Sequence, residues 1–171
     1  MTDETTEAVR AAFEGHDAFE SADGGYRVAT TPFDARVSAR PAGEWKTAFS
    51  VAVDVPTLDA AVAGEVGTAV ADGWLDAFER RLEGAPSATR AAVELSSFAV
   101  SAEDGTVTVE YWFEFGDERR GVEIAKTFVE FVEGTYVQGV VPGYDYESPV
   151  ADLLSEATDG EGEGERGGTP L

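Results

Sequence analysis

Few residues in this chain of 171 are equipped to do chemistry. Cysteine is absent, which excludes disulfides, thiolate metal sites and cysteine nucleophiles together. The one histidine, His16, could act as a base or a ligand, but nothing near it in sequence supplies a second ligand. Placed just after a predicted helix, it is expected to interact with that helix's last carbonyls. Carboxylates are the one catalytic group in surplus, at 34 Asp and Glu, and their abundance makes any chosen pair uninformative. Clustered acids are also the available oxygen ligands for Mg²⁺ or Ca²⁺. No glycine-rich phosphate loop, GxSxG elbow, HExxH or EF-hand pattern is present, and no serine in a strained strand-to-helix turn could join His16 in a triad. The sequence therefore assigns no catalytic residue, no metal ligand and no cofactor.

Binding is better represented than catalysis. Residues 134–147 (GTYVQGVVPGYDYE) combine glycines, a proline and three tyrosines with few charges. As a binding loop, the segment would offer close backbone approach at its glycines and flat, amphipathic contact area at its tyrosines. As a structural element, it would be an apolar strap that crosses the core and bends at each glycine, and this reading is the favoured one. On the binding reading the contact residues are Tyr136, Gln138, Tyr144 and Tyr146. Trp112 is a second candidate, because it interrupts the polar face of its strand. Exposed there, it would be an interaction anchor; covered by another element, it would be plain core.

These candidates depend on a strand and a helix that adjoin in sequence. In the run Thr106 to Phe115, Val107, Val109, Tyr111, Phe113 and Phe115 share one face, while Thr106, Thr108, Glu110 and Glu114 share the other. Such alternation predicts a half-buried strand. Ile124, Phe128, Phe131, Val132 and Tyr136 then recur at helical spacing, so a helix is predicted from about Asp117 to Tyr136. Its stripe and the strand's apolar face can cover each other. Before them, Val93 and Leu95 share one parity and Phe98 and Val100 the other, a slip that predicts a β-bulge near Ser96 and Ser97. Ala102-Glu103-Asp104-Gly105 turns the chain back.

The first half reads as a short amphipathic helix over 4–15 on Ala8, Val9, Ala12 and Phe13, stopped by Gly15. Turn residues Ser21 to Gly25 precede a short strand at Tyr26–Ala29. A hairpin follows, with Phe33 to Arg40 and Trp45 to Val55 as its strands and Pro41 to Glu44 as its loop. A helical segment opens at Thr57 and is weakened at Gly64 and Gly67, where it can break or restart. It ends in the stripe Val66, Val70, Trp74, Phe78 and Leu82, wide enough for a dimer interface as well as core. Gly84 and Pro86 close it, and Pro149 to Leu154 add a last helical turn or two.

Composition bounds the remainder. A hydrophobic fraction of 43% and 18 aromatic residues fit one domain over residues 1–157 with a real core, and residues 158–171, Gly-rich and acidic, are expected to be a disordered tail. No apolar run is long enough to span a membrane, and the acidic start Met1-Thr2-Asp3-Glu4 lacks a secretory signal, so a soluble, cytoplasmic protein is expected. The net charge is −22, with only 12 Lys and Arg. Like charges repel across a compact surface, and the Debye length shrinks from about 8 Å at physiological salt to about 3 Å at 1 M. A chain folding in molar salt tolerates such a surface and gains solubility from it, so the composition reads as halophilic. Nucleic-acid binding is not expected, since no basic patch could neutralise phosphates.

The stretches 72–82 (DGWLDAFERRL) and 132–146 (VEGTYVQGVVPGYDY) resemble a haloarchaeal family of uncharacterised proteins. The order of predicted elements is also similar to that of type III secretion chaperone-like and YbjN-type domains. That second resemblance implies a fold that dimerises and binds polypeptides rather than turning over substrates. The expected fold is α+β: an antiparallel five-stranded sheet with helices packed on one face, in the order α-β-β-β-α-β-β-α. The helices containing Trp74 and Phe128 are expected to cover that face. The expected function is a non-catalytic, chaperone-like interaction module for a protein partner, with homodimerisation open to it. The alternative is a small-molecule-binding or enzymatic domain whose pocket lies between the sheet and residues 134–147.

Overall fold

The computed structural model describes residues 2–157, with side chains from Thr6 onward, so the tail expected over 158–171 lies outside the described residues. Helix α1 (Thr2–Glu14) leads into four consecutive strands, β1 (Phe19–Ala22), β2 (Gly25–Val28), β3 (Asp34–Ala42) and β4 (Lys46–Pro56). Next come the short α2 (Leu58–Ala61), the two-residue β5 (Val62–Ala63), α3 (Thr68–Leu82) and a 3-10 turn at Ala85–Ala88. Strands β6 (Leu95–Glu103) and β7 (Thr106–Phe115) precede the long α4 (Glu118–Gln138), and β8 (Asp145–Tyr146) is followed by a final helix, α5, over 150–157.

The sheet is antiparallel throughout, in the order β1-β2-β3-β4-β7-β6. It has six strands rather than five, and a separate β5-β8 pair lies outside it. The additional strand is β1. Its residues Ser21 and Ala22 read as turn chemistry in the sequence, but the turn itself is only Asp23-Gly24, with Gly24 at φ +77°. Only Phe19 of its four residues is buried, so no alternation marks it as a strand. Elsewhere the register follows the sequence. Strand β7 spans the whole alternating run, and the pairing of β6 with it shifts between Leu95 and Ser97, at the expected bulge. Asp104 and Gly105 both take positive φ, as a two-residue hairpin between right-twisted strands requires.

The inner face of the sheet is the core. Val37, Phe49, Val51, Val53, Val109, Tyr111 and Phe113 are all buried on it. Helix α4 lies across β4 and β7, starting from Asp117, whose side chain accepts a hydrogen bond from the Arg120 amide. It crosses β4 at Gly121, where a Cβ would run into the Phe49 ring. About two turns further on, Phe128 sits 5.1 Å from Tyr111 and 5.3 Å from Phe113, ring centre to ring centre. Helix α1 takes the place beside α4 that the sequence suggested for α3: it packs on β3, with Phe13 stacked on Tyr26 at 4.2 Å. Helix α3 reaches the core chiefly through α4. Trp74 and Phe78 pack edge-on against Tyr136, while Val66 is half-buried and Val70 is exposed. The expected stripe is thus core only from Trp74 onward.

Because Phe128 fills the junction of α4 with β7, Phe128→Ala should lower unfolding free energy by about 3–5 kcal/mol. Denaturant titration would measure it, and an unchanged midpoint would show that the ring is not what seats the helix.

Candidate functional site

The opposite face of the sheet is not covered in the same way: its residues alternate between half-exposed and exposed along β3, β4, β7 and β6. Cross-strand register arranges them in rows. Arg40, Ala48 and Glu114 form one row, and Arg36, Ala52 and Glu110 form another. Ser38, Ser50 and Trp112 lie between those two, with Ser97 extending the middle row onto β6. Strand β4 therefore supplies a floor of small side chains, Ala48, Ser50 and Ala52. A wall of arginines on β3 flanks it on one side, and a wall of Glu110, Trp112 and Glu114 on β7 flanks it on the other. Two hollows lie along this floor, of about 160 Å³ beside Trp112 and about 340 Å³ beside Arg36 and Glu110. Small residues between long ones on a pleated surface produce that relief.

Electrostatics on this face are only partly satisfied internally. Arg36 donates to Asp54 at 3.0 Å, and Asp54 also accepts from the Thr108 hydroxyl at 2.7 Å. Arg27 donates to Glu20 at 2.6 Å. Arg40, Glu110 and Glu114 have no ion-pair partner among the described residues. Trp112 is half-exposed, so it stands in the wall of an open groove rather than under a covering element. A second tryptophan, Trp45, with 79% of its surface exposed, occupies the turn between β3 and β4. Alternation with Thr47 and Phe49 placed it inward in the sequence reading. The turn is Gly43 (φ +70°) to Trp45 rather than Pro41 to Glu44: Pro41 and Ala42 belong to β3, and the register begins with Ala42 opposite Lys46. The glycine one position before Glu44 was the available signal.

The tyrosine-rich segment is folded onto the body of the protein. Tyr136 is buried in α4 and donates its hydroxyl to the Pro56 carbonyl at 3.0 Å. Tyr146 accepts from the Val141 amide at 2.9 Å and donates to the Val141 carbonyl at 2.7 Å, closing the loop on itself. Strand β8 pairs with β5, and the Glu147 amide donates to the Ala61 carbonyl. Tyr144 is half-buried against the core and Gln138 is exposed at the end of α4. The structure thus does not bring these four residues together with Trp112. His16 meets the end of α1 only through its backbone amide, which donates to the Phe13 carbonyl at 3.1 Å; its ring turns elsewhere, Nδ1 accepting from the Ala18 amide and Nε2 lying 2.7 Å from Glu123 of α4.

Residues 14–156 match a family of unknown function, DUF5813. The chain belongs to that family. No curated protein and no solved structure matches it. The part shared with DUF5813 contains the entire sheet, including both walls of the groove, and the tyrosine-rich segment. One larger cavity, of about 530 Å³, lies in this DUF5813 chain between α2, α3 and the β6-β7 turn, floored by Leu58 and Trp74. Asp59, Asp72, Glu103 and Asp104 rim it. Among the described residues no three carboxylates or histidines converge tightly enough to hold a metal ion. None of residues 134–147 lines that cavity.

Burial pushes the Tyr111 and Tyr136 phenols well above their ordinary range, with Tyr146 adding to the effect at Tyr136. Unfolded, both would ionise near pH 10. Their contribution to stability is therefore fully present below about pH 10 and is lost as pH rises above it, because the unfolded chain gives up those protons first. A spectrophotometric titration should show Tyr111 and Tyr136 ionising only as the fold is lost. All five tyrosines titrating together in a folded protein would contradict their burial.

Proposed function

We propose that this protein is a non-catalytic interaction module, one domain over residues 1–157, that docks another polypeptide on the open face of its sheet around Trp112. The observation that supports it is the floor of Ala48, Ser50 and Ala52 between an arginine wall and a glutamate wall that have unspent charges. Small side chains let another backbone approach closely, and the walls fix its orientation. Gln138, Tyr144 and Tyr146 offer a secondary contact surface, with Tyr136 holding their segment in place. The acidic composition and the resemblance to haloarchaeal proteins make it a salt-adapted, archaeal, cytoplasmic protein in this reading.

The cavity floored by Trp74 supports a second reading, a small-molecule-binding domain whose rim of four carboxylates disfavours anions. One experiment separates the two. The chain has no cysteine, so Ser50→Cys introduces a single thiol on the groove floor. In a high-salt lysate of the source cells, that thiol should react with a bulky maleimide much more slowly than the same thiol in dilute purified protein, while an exposed control thiol from Ser155→Cys on α5 should react alike in both. A ligand held over Trp74 would leave Ser50→Cys as reactive in lysate as in dilute purified protein, and equal rates in the two would remove the docking reading. Salt adaptation has its own check. Dialysis from molar to low salt should depress the thermal midpoint as repulsion among 34 acids is unscreened. Undiminished stability at low ionic strength would leave the acidic surface to be explained otherwise.

A further inference from the structure

We infer that the occupant of this groove is a second copy of the same chain, packed sheet against sheet about a two-fold axis that runs along β4. The inference rests on the docking reading and adds the partner. The two charged rows carry it, because they are self-complementary under that one operation. A two-fold axis parallel to β4 keeps each residue at its own level along the strands and exchanges the β3 side with the β7 side. Arg40 then faces the partner's Glu114, and Arg36, one guanidinium nitrogen of which is held by Asp54, faces the partner's Glu110, each pair occurring twice. Bulky Trp112 faces the partner's Ser38, and Ser50 lies on the axis against its own counterpart. An axis across the strands would instead set Arg40 against Arg36 and Glu114 against Glu110. The register therefore selects both the surface and the direction of the axis.

Charge and area agree with this arrangement. The outer face carries Arg27, Arg36, Arg40 and Lys46 against Glu20, Asp34, Asp54, Glu103, Glu110 and Glu114, a deficit of two on a chain whose net charge is −22. Two copies repel each other over most of their surfaces and can approach here. At the ends of β4 the axis sets Lys46 against Lys46 and Asp54 against Asp54. Stacked sheets cross at about 30°, which carries strand ends apart, and Asp54 is already held by Arg36 and Thr108. Strand spacings of about 4.8 Å and a rise of about 3.4 Å per residue make the face roughly 20 Å by 30 Å. Two copies would bury about 1,200 Å², at the lower end of what stable complexes use.

Sedimentation equilibrium of the full chain in molar KCl tests the inference, with circular dichroism and thermal melting to show that each variant is folded. The wild type should have the mass of a dimer. Arg40→Glu and Glu114→Arg, each breaking two symmetric pairs, should each weaken association by about tenfold or more, and the combined swap should recover most of the loss. Ser50→Arg, which sets like charges on the axis, should give a monomer. A wild type that is monomeric at every concentration overturns the inference, as does a dimer indifferent to all these substitutions. A monomer whose Ser50→Cys thiol is nonetheless shielded in lysate removes only the second copy as occupant. A thiol unshielded in lysate and in concentrated pure protein removes the docking surface as well.

Discussion

The seating of α4 on β4 and β7 is the contact on which the other parts of this structure depend. Two residues of opposite size accomplish it. At Gly121 the absence of a side chain lets the helix come down onto the Phe49 ring, and at Phe128 a large ring fills the space between Tyr111 and Phe113. Close approach at one point and a filled gap about two turns later fix both the height and the direction of the helix. Once that axis is set, the C-terminal half of α4 presents Tyr136 to Trp74 and Phe78, which is how α3 joins the core. The Leu82 carbonyl at the end of α3 then accepts the Tyr111 hydroxyl at 2.7 Å, tying the last turn of α3 directly to the central strand.

That same contact explains the tyrosine-rich segment. A chain leaving α4 at Gly139 must return across the end of the core to reach α5, and it does so without a long strand of its own. It uses side-chain hydroxyls where a strand would use backbone pairs. Tyr146 satisfies both the amide and the carbonyl of Val141, Tyr136 satisfies the Pro56 carbonyl, and the two-residue ladder with β5 completes the tie. Buried backbone groups must find partners, and here tyrosines provide them. The unusual composition of residues 134–147 is therefore accounted for by the fold's own hydrogen bonding.

Legibility in the sequence followed burial contrast. Strand β7 could be read residue by residue because it is long and paired on both sides, with one face buried and the other wet, so its alternation is sharp. The bulge in β6 was visible because a register slip moves every following side chain to the other face. Strand β1 was not visible: it is an edge strand of four residues with one buried position, too short for any period to show. Trp45 was misplaced because alternation was extended one residue too far into a turn, where parity has no meaning. For α3 and α1, both amphipathic, periodicity shows that a helix has an apolar side but not which neighbour that side meets. Of the groove, Trp112 and the outward positions of Glu110 and Glu114 were legible; the matching of its two walls was not. Its charged walls come from residues on β3 and β7, far apart in sequence, and only the register places Arg40 level with Glu114.

The arrangement of charge bears on function for that reason. A surface this acidic ordinarily makes any single carboxylate uninformative, and a sequence count cannot distinguish a solvated Glu from one that waits for a partner. Position within the sheet can. Glu110 and Glu114 point outward at two levels of β7, and at those same two levels β3 carries Arg36 and Arg40, across a floor too small to separate an incoming chain from either wall. Surface acids scattered to favour solvation have no reason to match cations row by row. Opposed walls at equal levels are a property of pairing geometry, and of the dyads along and across the strands only the one that swaps the walls sets each of the two glutamates opposite an arginine. The outer face of the sheet is thus the one whose symmetry most restricts what can bind it.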